Sequence, residues 1–150
     1  MEHNNTDDKN SKKNFAAKHS DQTKPDLKIV QELQAKVKQG AVSCAAAHSI
    51  AGSINRTPAE IGRNMDISNI RIVKCQMGIF GYQPEKRLVK PAESVSKELE
   101  TAIKKSLKNN KISCKDCWDT AEKFGLSKMD IANACEALKI KIYSCQLGAF

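Results

Sequence analysis

Residues 42–80 of this chain fall on residues 112–150, without a gap, when the sequence is displaced by 70 positions. Ten of the 39 aligned pairs are identical: Ser43/Ser113, Cys44/Cys114, Ala51/Ala121, Ile61/Ile131, Ile70/Ile140, Ile72/Ile142, Cys75/Cys145, Gln76/Gln146, Gly78/Gly148 and Phe80/Phe150. Others keep their type, such as Thr57/Ser127, Glu60/Asp130, Arg71/Lys141 and Met77/Leu147. A period this long marks a duplicated small domain, and each copy checks what the other needs for its fold or site.

At 150 residues the chain holds two such units, each close to the smallest size that supports its own core. They are expected to lean on one another. Residues 1–25 are polar and mixed in charge, a composition too poor in apolar surface to order itself. The repeats then span 26–82 and 94–150. Between them the stretch GYQPEKRLVKPAES (81–94), with two prolines and three basic residues, predicts a linker centred on 83–93.

Each copy predicts three helices and a strand. Asp26 caps a first helix with Ile29, Leu33 and Val37 on one face and Gly40 at its end. Its counterpart carries Val95, Leu99, Ile103 and Leu107, with Glu98 and Glu100 early and Lys104, Lys105 and Lys108 late, as the helix dipole prefers. A second helix starts at Ser43 or Ser113, and Ser113 to Asp116 has the spacing of a capping box. Asn55 and Gly125, which tolerate a left-handed backbone, mark a sharp turn. Thr57-Pro-Ala-Glu60 and Ser127-Lys-Met-Asp130 then open a third helix as capping boxes. The alternating segments 70–75 and 140–145 read as strands with one buried face. One strand per copy leaves its ladder unpaired. The expected repair is an antiparallel pairing of the two strands about a pseudo-twofold axis.

The spacing Ala121, Gly125, Ile131, Ala134, matched by Ala51, Asn55, Ile61 and Asn64, resembles the helix-turn-helix of DNA-binding regulators. The small residue lets two helices approach, the turn residue permits the bend, and the later residues seat the third helix. The resemblance covers about 20–25 residues of each copy and implies a mainly α fold of two tandem three-helix units. It also implies a third helix in the major groove of double-stranded DNA, with Thr57, Pro58, Ala59, Gly62 and Arg63 exposed in the first copy. In the second these would be Ser127, Lys128, Met129, Ala132 and Asn133. Arg63 would read guanine and Asn133 adenine. Arg71 and Lys141 would supply nearby positive charge. Two heads in one chain would address an imperfect palindrome. The third helices themselves are net negative, with Glu60 and Asp66 against Arg63, and Asp130 and Glu136 against Lys128. Attraction to phosphate must therefore come from elsewhere, with Lys104, Lys105, Lys108, Lys111, Lys86, Arg87 and Lys90 as candidates.

Two cysteine positions also recur. Cys44 and Cys114 each occupy the first turn of a helix, where backbone N–H groups lower the pKa of an accessible thiol. Cys75 and Cys145 open a shared Cys-Gln-[Met/Leu]-Gly-x-Phe motif. Cys117 adds a Cys114-x-x-Cys117 spacing, the second copy also holds Cys135, and His48 follows Cys44 by one helical turn. Cys44, Cys75, Cys114, Cys117 and Cys145 form a candidate set of soft ligands for zinc or an iron–sulfur cluster. The competing reading is that they are small buried hydrophobes.

The net charge of +8 favours an anionic partner. No run of 18 apolar residues suits a membrane helix, and the N-terminus has no apolar signal region. A cytoplasmic location with reduced thiols is expected. No paired acids, phosphate-cradling glycine loop or nucleophile elbow recurs, which argues against an enzyme. Three readings stand: a DNA-binding, regulatory protein; a metal- or redox-responsive cysteine sensor; and an adaptor that packs on a protein partner. A homodimer is compatible with each.

Overall fold

The computed structural model describes residues 24–150. Residues 1–23, and with them nearly all of the tail expected over 1–25, lie outside the described residues. The described chain is mainly helical, and one order of elements occurs twice. The first copy runs α1 (Leu27–Lys36), β1 (Ala41–Ser43), α2 (Cys44–Ser53), α3 (Pro58–Ile67) and β2 (Arg71–Val73). The second runs α4 (Lys97–Lys105), β3 (Lys111–Ser113), α5 (Cys114–Phe124), α6 (Lys128–Ala137) and β4 (Lys141–Tyr143).

The caps explain the boundaries. The Asp26 carboxylate accepts from the Lys28 and Ile29 N–H groups, and Ser96 Oγ from Leu99. Ser43 and Ser113 cap α2 and α5, but Asp116 does not reach back, so only half of the expected box forms there. The boxes at Thr57/Glu60 and Ser127/Asp130 are complete. Asn55 and Gly125 turn through the left-handed region with φ of 56° and 65°. The first helix stops at Lys36 rather than running to Gly40, and Val37 is already extended. Gln39 and Gly40, like Asn109 and Asn110, then take two consecutive positive φ values. That is the geometry of a tight reversal, and it delivers β1 and β3.

Those two strands overturn the expected pairing. β2 pairs in parallel with β1 inside its own copy, in the register Ala41↔Arg71, Val42↔Ile72, Ser43↔Val73. β4 pairs likewise with β3, Lys111↔Lys141 to Ser113↔Tyr143. The ladder of each copy is therefore satisfied locally, and no antiparallel pairing across the copies is needed. β1 and β3 each bury only their central residue, Val42 or Ile112, a run too short to announce a period in the sequence, and Ser43 and Ser113 are at once last strand residue and helix cap.

The copies meet by an exchange. Met77, fully buried, lies in a core with Leu99, Ile103, Ile112 and Ile131 of the second copy. Leu147, its counterpart, lies in a core with Ile29, Leu33, Ile50, Ile61 and Met65 of the first. Burying one such side chain contributes about 1.5–3 kcal/mol. The Leu147 turn rests directly on α3: a Cβ at Gly62 would stand 1.7 Å from the Leu147 carbonyl oxygen. Counterparts also touch across the junction. The His48 and Trp118 rings lie 4.3 Å apart, and Phe80 and Phe150 meet edge to face at 6.0 Å.

The linker holds no helix or named strand and crosses α6. Lys90 N–H donates to Asn133 Oδ1 and Ala92 N–H to Asn133 O, both at 3.0 Å. Arg87 pairs with Glu136 at 3.0 Å.

Candidate functional site

The expected DNA-facing residues divide sharply between the copies. Thr57 and Arg63 are exposed on α3, and Arg71 on β2. Thr57 is engaged as a cap: its Oγ1 accepts from Glu60 N–H at 3.1 Å and its own N–H donates to the Glu60 carboxylate at 2.7 Å. The Thr57 N–H and then its hydroxyl, both donating to the Glu60 carboxylate, hold that carboxyl below its ordinary range. Arg71 reaches the Gln39 carbonyl at 3.5 Å. Ser127 caps α6 in the same manner. Lys128 is half-buried with its ammonium 4.5 Å above the Trp118 ring, and Asn133 is held by the linker. Gly62 and Ala132, expected at an open surface, are both buried. Gly62 faces the exchanged turn of the other copy, a burial invisible in a repeat read on its own.

Lys141 belongs to a cluster that only the strand register exposes. It lies beside Lys111 across the β3–β4 pair, and Lys111 is bridged to Lys108 through the tight turn. Lys139 stands two residues before Lys141. All four are exposed, and none forms an ion pair among the described residues. The same rim in the first copy carries Lys38, Ala41, Asn69 and Arg71. Like charges packed this closely repel, and an anion relieves them.

The cysteines part into two sets. Cys44 and Cys114 open α2 and α5, but both are buried, so the helix terminus does not activate them. Burial pushes Cys44 up to about 12 against a hydrogen bond from the Gln76 backbone, with the Cys75, Cys145 and Cys114 thiols raising it further. Burial also raises Cys114, against hydrogen bonds from Gln146, with Cys145 and Cys75 as neighbours. Gln146 Nε2 lies 3.7 Å from Cys114 Sγ. Cys117 leaves the expected set: it lies in the second core and hydrogen-bonds to Cys135, a bond that with burial pushes it up. His48 is lowered by burial and by Lys128. Among the described residues no three Cys, His, Asp or Glu side chains stand at the spacing that holds a metal ion. The Trp118 indole N–H is buried and meets no acceptor among the described residues.

No protein-family model matches the chain, and no curated protein or solved structure shows significant similarity to it. Among the described residues no helix is long and apolar enough to cross a membrane.

Proposed function

We propose that the protein binds double-stranded DNA and acts as a regulator there, in the cytoplasm, with its two helix–turn–helix segments as tandem heads of unequal role. The observation that carries this reading is the rim of exposed Lys108, Lys111, Lys139 and Lys141: Lys111 and Lys141 are partners across the strand pair, Lys108 is bridged to Lys111, and Lys139 precedes Lys141 by two residues, with no acid among them. Phosphate contacts supply most sequence-independent affinity, and this rim is built for them. The reading helix is α3, because Thr57, Ala59 and Arg63 are exposed. The corresponding part of α6 is occupied by the linker and by Trp118, so the second head anchors rather than reads.

Fluorescence anisotropy of the full chain on duplex DNA, titrated across salt concentrations, tests this. Four neutralised phosphates give a slope of log K on log salt of about −3.6. Replacing the four rim lysines by glutamine should remove most of that slope. Arg63→Ala should leave the slope within about one contact of wild type and flatten any preference among sequences. Absence of binding at low salt rejects the reading.

A further inference from the structure

Among the described residues, Trp118 is the one side chain that packs against both cores. It is also the only tryptophan of the chain. It stands on α5 of the second copy, and its ring lies 4.3 Å from the His48 ring on α2 of the first, tilted by 40°. Lys128, the first residue of α6, sets its ammonium 4.5 Å from the centre of the same indole. One aromatic body is therefore shared by a titratable ring from one copy and a permanent cation from the other. The indole N–H is buried and meets no acceptor among the described residues, a deficit that water would make good.

The charge on His48 decides how well this contact holds. A neutral imidazole packs on the indole as one aromatic ring on another. An imidazolium is attracted to an indole too, but Lys128 already draws on this one, and a second cation repels the first. Half-buried, it also gives up part of its hydration. Burial first and Lys128 second therefore favour the neutral ring. No opposite charge offsets them. α2 carries no charged residue besides His48, and its Cys44 thiol is held protonated. On α5, Lys115 and Asp119 flank Trp118 and pair with each other at 3.0 Å, and Glu122 lies one turn further on, exposed. On α6, the Asp130 carboxylate is taken by the Ser127 N–H. α1 and α3 meet α2 through the first core, at Ala47, Ile50 and Ala51, and no charge of theirs acts on His48.

We propose that His48, Trp118 and Lys128 form a proton-sensitive latch between the two copies. With His48 neutral, its ring stays on the indole and closes the junction. With His48 protonated, the imidazolium turns out to water. The ring is only half-buried, so rotation of the side chain suffices and no helix has to move. The indole is then uncovered on the side of the first copy, and water reaches it. The Phe80–Phe150 contact carries no charge and persists, so the copies stay joined while one of their two ring contacts opens. The proton comes from solvent and returns to it as pH rises.

The test follows Trp118 fluorescence of the full chain, without DNA, from about pH 8 to about pH 4.5. As the only tryptophan, it reports this contact and no other. The emission maximum should move to the red, with its midpoint below the ordinary histidine value of 6.5. Quenching by acrylamide should rise about twofold over the same range, as for a local opening, while far-ultraviolet circular dichroism stays constant. His48→Gln should show neither change. Lys128→Met keeps a stem on the indole without the charge and should raise the midpoint by about half a pH unit. An imidazolium also dims a neighbouring indole by contact, so a loss of intensity with no red shift and no added acrylamide access leaves the ring in place and overturns the latch. A red shift that survives in His48→Gln, a midpoint that Lys128→Met leaves unchanged or lowers, or a loss of helix over the same range overturns it as well. Should a variant not fold, proton NMR of the wild-type His48 ring decides: a midpoint below 6.5 that coincides with the red shift upholds the latch, and one at or above 6.5 overturns it. The latch is read on the free protein, so failure of the DNA reading leaves this test intact.

Discussion

Replacing Gly62 by alanine sets one methyl group against the exchange of turns. Gly62 lies within α3, where the change alone stabilises an open helix by up to about 1 kcal/mol. Here the added Cβ would stand 1.7 Å from the Leu147 carbonyl oxygen, 2.6 Å from its carbon and 3.0 Å from its Cα. All three are backbone atoms, so no rotamer change relieves the overlap. Ordinary contact begins at 3.4 Å, and 3.4 − 1.7 leaves 1.7 Å for the turn to retreat. A retreat of that size pulls Leu147, only 2 % exposed, from its place in the first core. Full truncation of such a leucine costs about 2–5 kcal/mol. A partial withdrawal, offset by the helix gain, should cost about 2–4 kcal/mol.

The assay is equilibrium urea unfolding of the full chain followed by far-ultraviolet circular dichroism. Gly52→Ala is the control: it is exposed, helical, and has nothing within 4 Å of its Cβ position, so it should gain about 0.5–1 kcal/mol. Leu147→Ala should lose about 2–5 kcal/mol. The double variant Gly62→Ala/Leu147→Ala should lose less than the sum, because both substitutions empty the same seat. The second crossing already accommodates Ala132, so a retreat is physically available. Gly62→Ala as stable as wild type, or more stable, would refute the seating of the turn on α3.

Asn64 is fully buried, takes the Asp26 N–H on Oδ1 at 2.7 Å and donates to the Glu60 carbonyl at 2.9 Å. Asn64→Ala should cost about 1–3 kcal/mol, read from thermal unfolding, since the Asp26 N–H is left without its acceptor. The Arg56 guanidinium, 2.8 Å away, holds the Asp26 carboxyl below its ordinary 3.8. That pairing contributes above the ordinary carboxylate value and is lost as pH falls through the lowered one. An acid titration should therefore show wild type losing more stability below about pH 4 than Asp26→Asn; equal losses would exclude the pair. Iodoacetamide at about pH 8 should modify half-buried Cys145 well before buried Cys44 and Cys114. Cys44 is held protonated up to about 12, against 9.0 for a free thiol, so it favours unfolding as pH rises above 9.0. Early labelling of Cys44 would contradict its burial.

The parts of this molecule written in short windows of sequence were legible there. Asn55 and Gly125, the caps at Asp26, Ser43, Thr57 and Ser127, and the apolar seats Ile61 and Ile131 act within a few residues of themselves. The missed parts depend on distant partners. β1 and β3 are too short to carry a period and are strands only because β2 and β4 lie beside them. Val37 looked helical because its spacing fits, yet the reversal at Gln39 and Gly40 takes the chain out of α1 first. Lys111 and Lys141 are 30 residues apart in sequence and become neighbours only through the parallel pairing of β3 with β4, which joins Lys108 and Lys111 to Lys139 and Lys141. Gly62 gave a signal without a legible cause: it is small where its counterpart is Ala132, and the reason is a carbonyl 85 residues further on.

The exchange also changes what duplication means here. Neither core is complete within its own copy, because Met77 fills the second and Leu147 the first. Two identical chains could trade such turns, but their surfaces would then be bound to be alike. Joining the copies by a short linker keeps the turns at high local concentration and frees the two outer faces to diverge. The second copy has gathered the lysine rim and surrendered Asn133 and Glu136 to the linker, while the first keeps an uncovered Arg63.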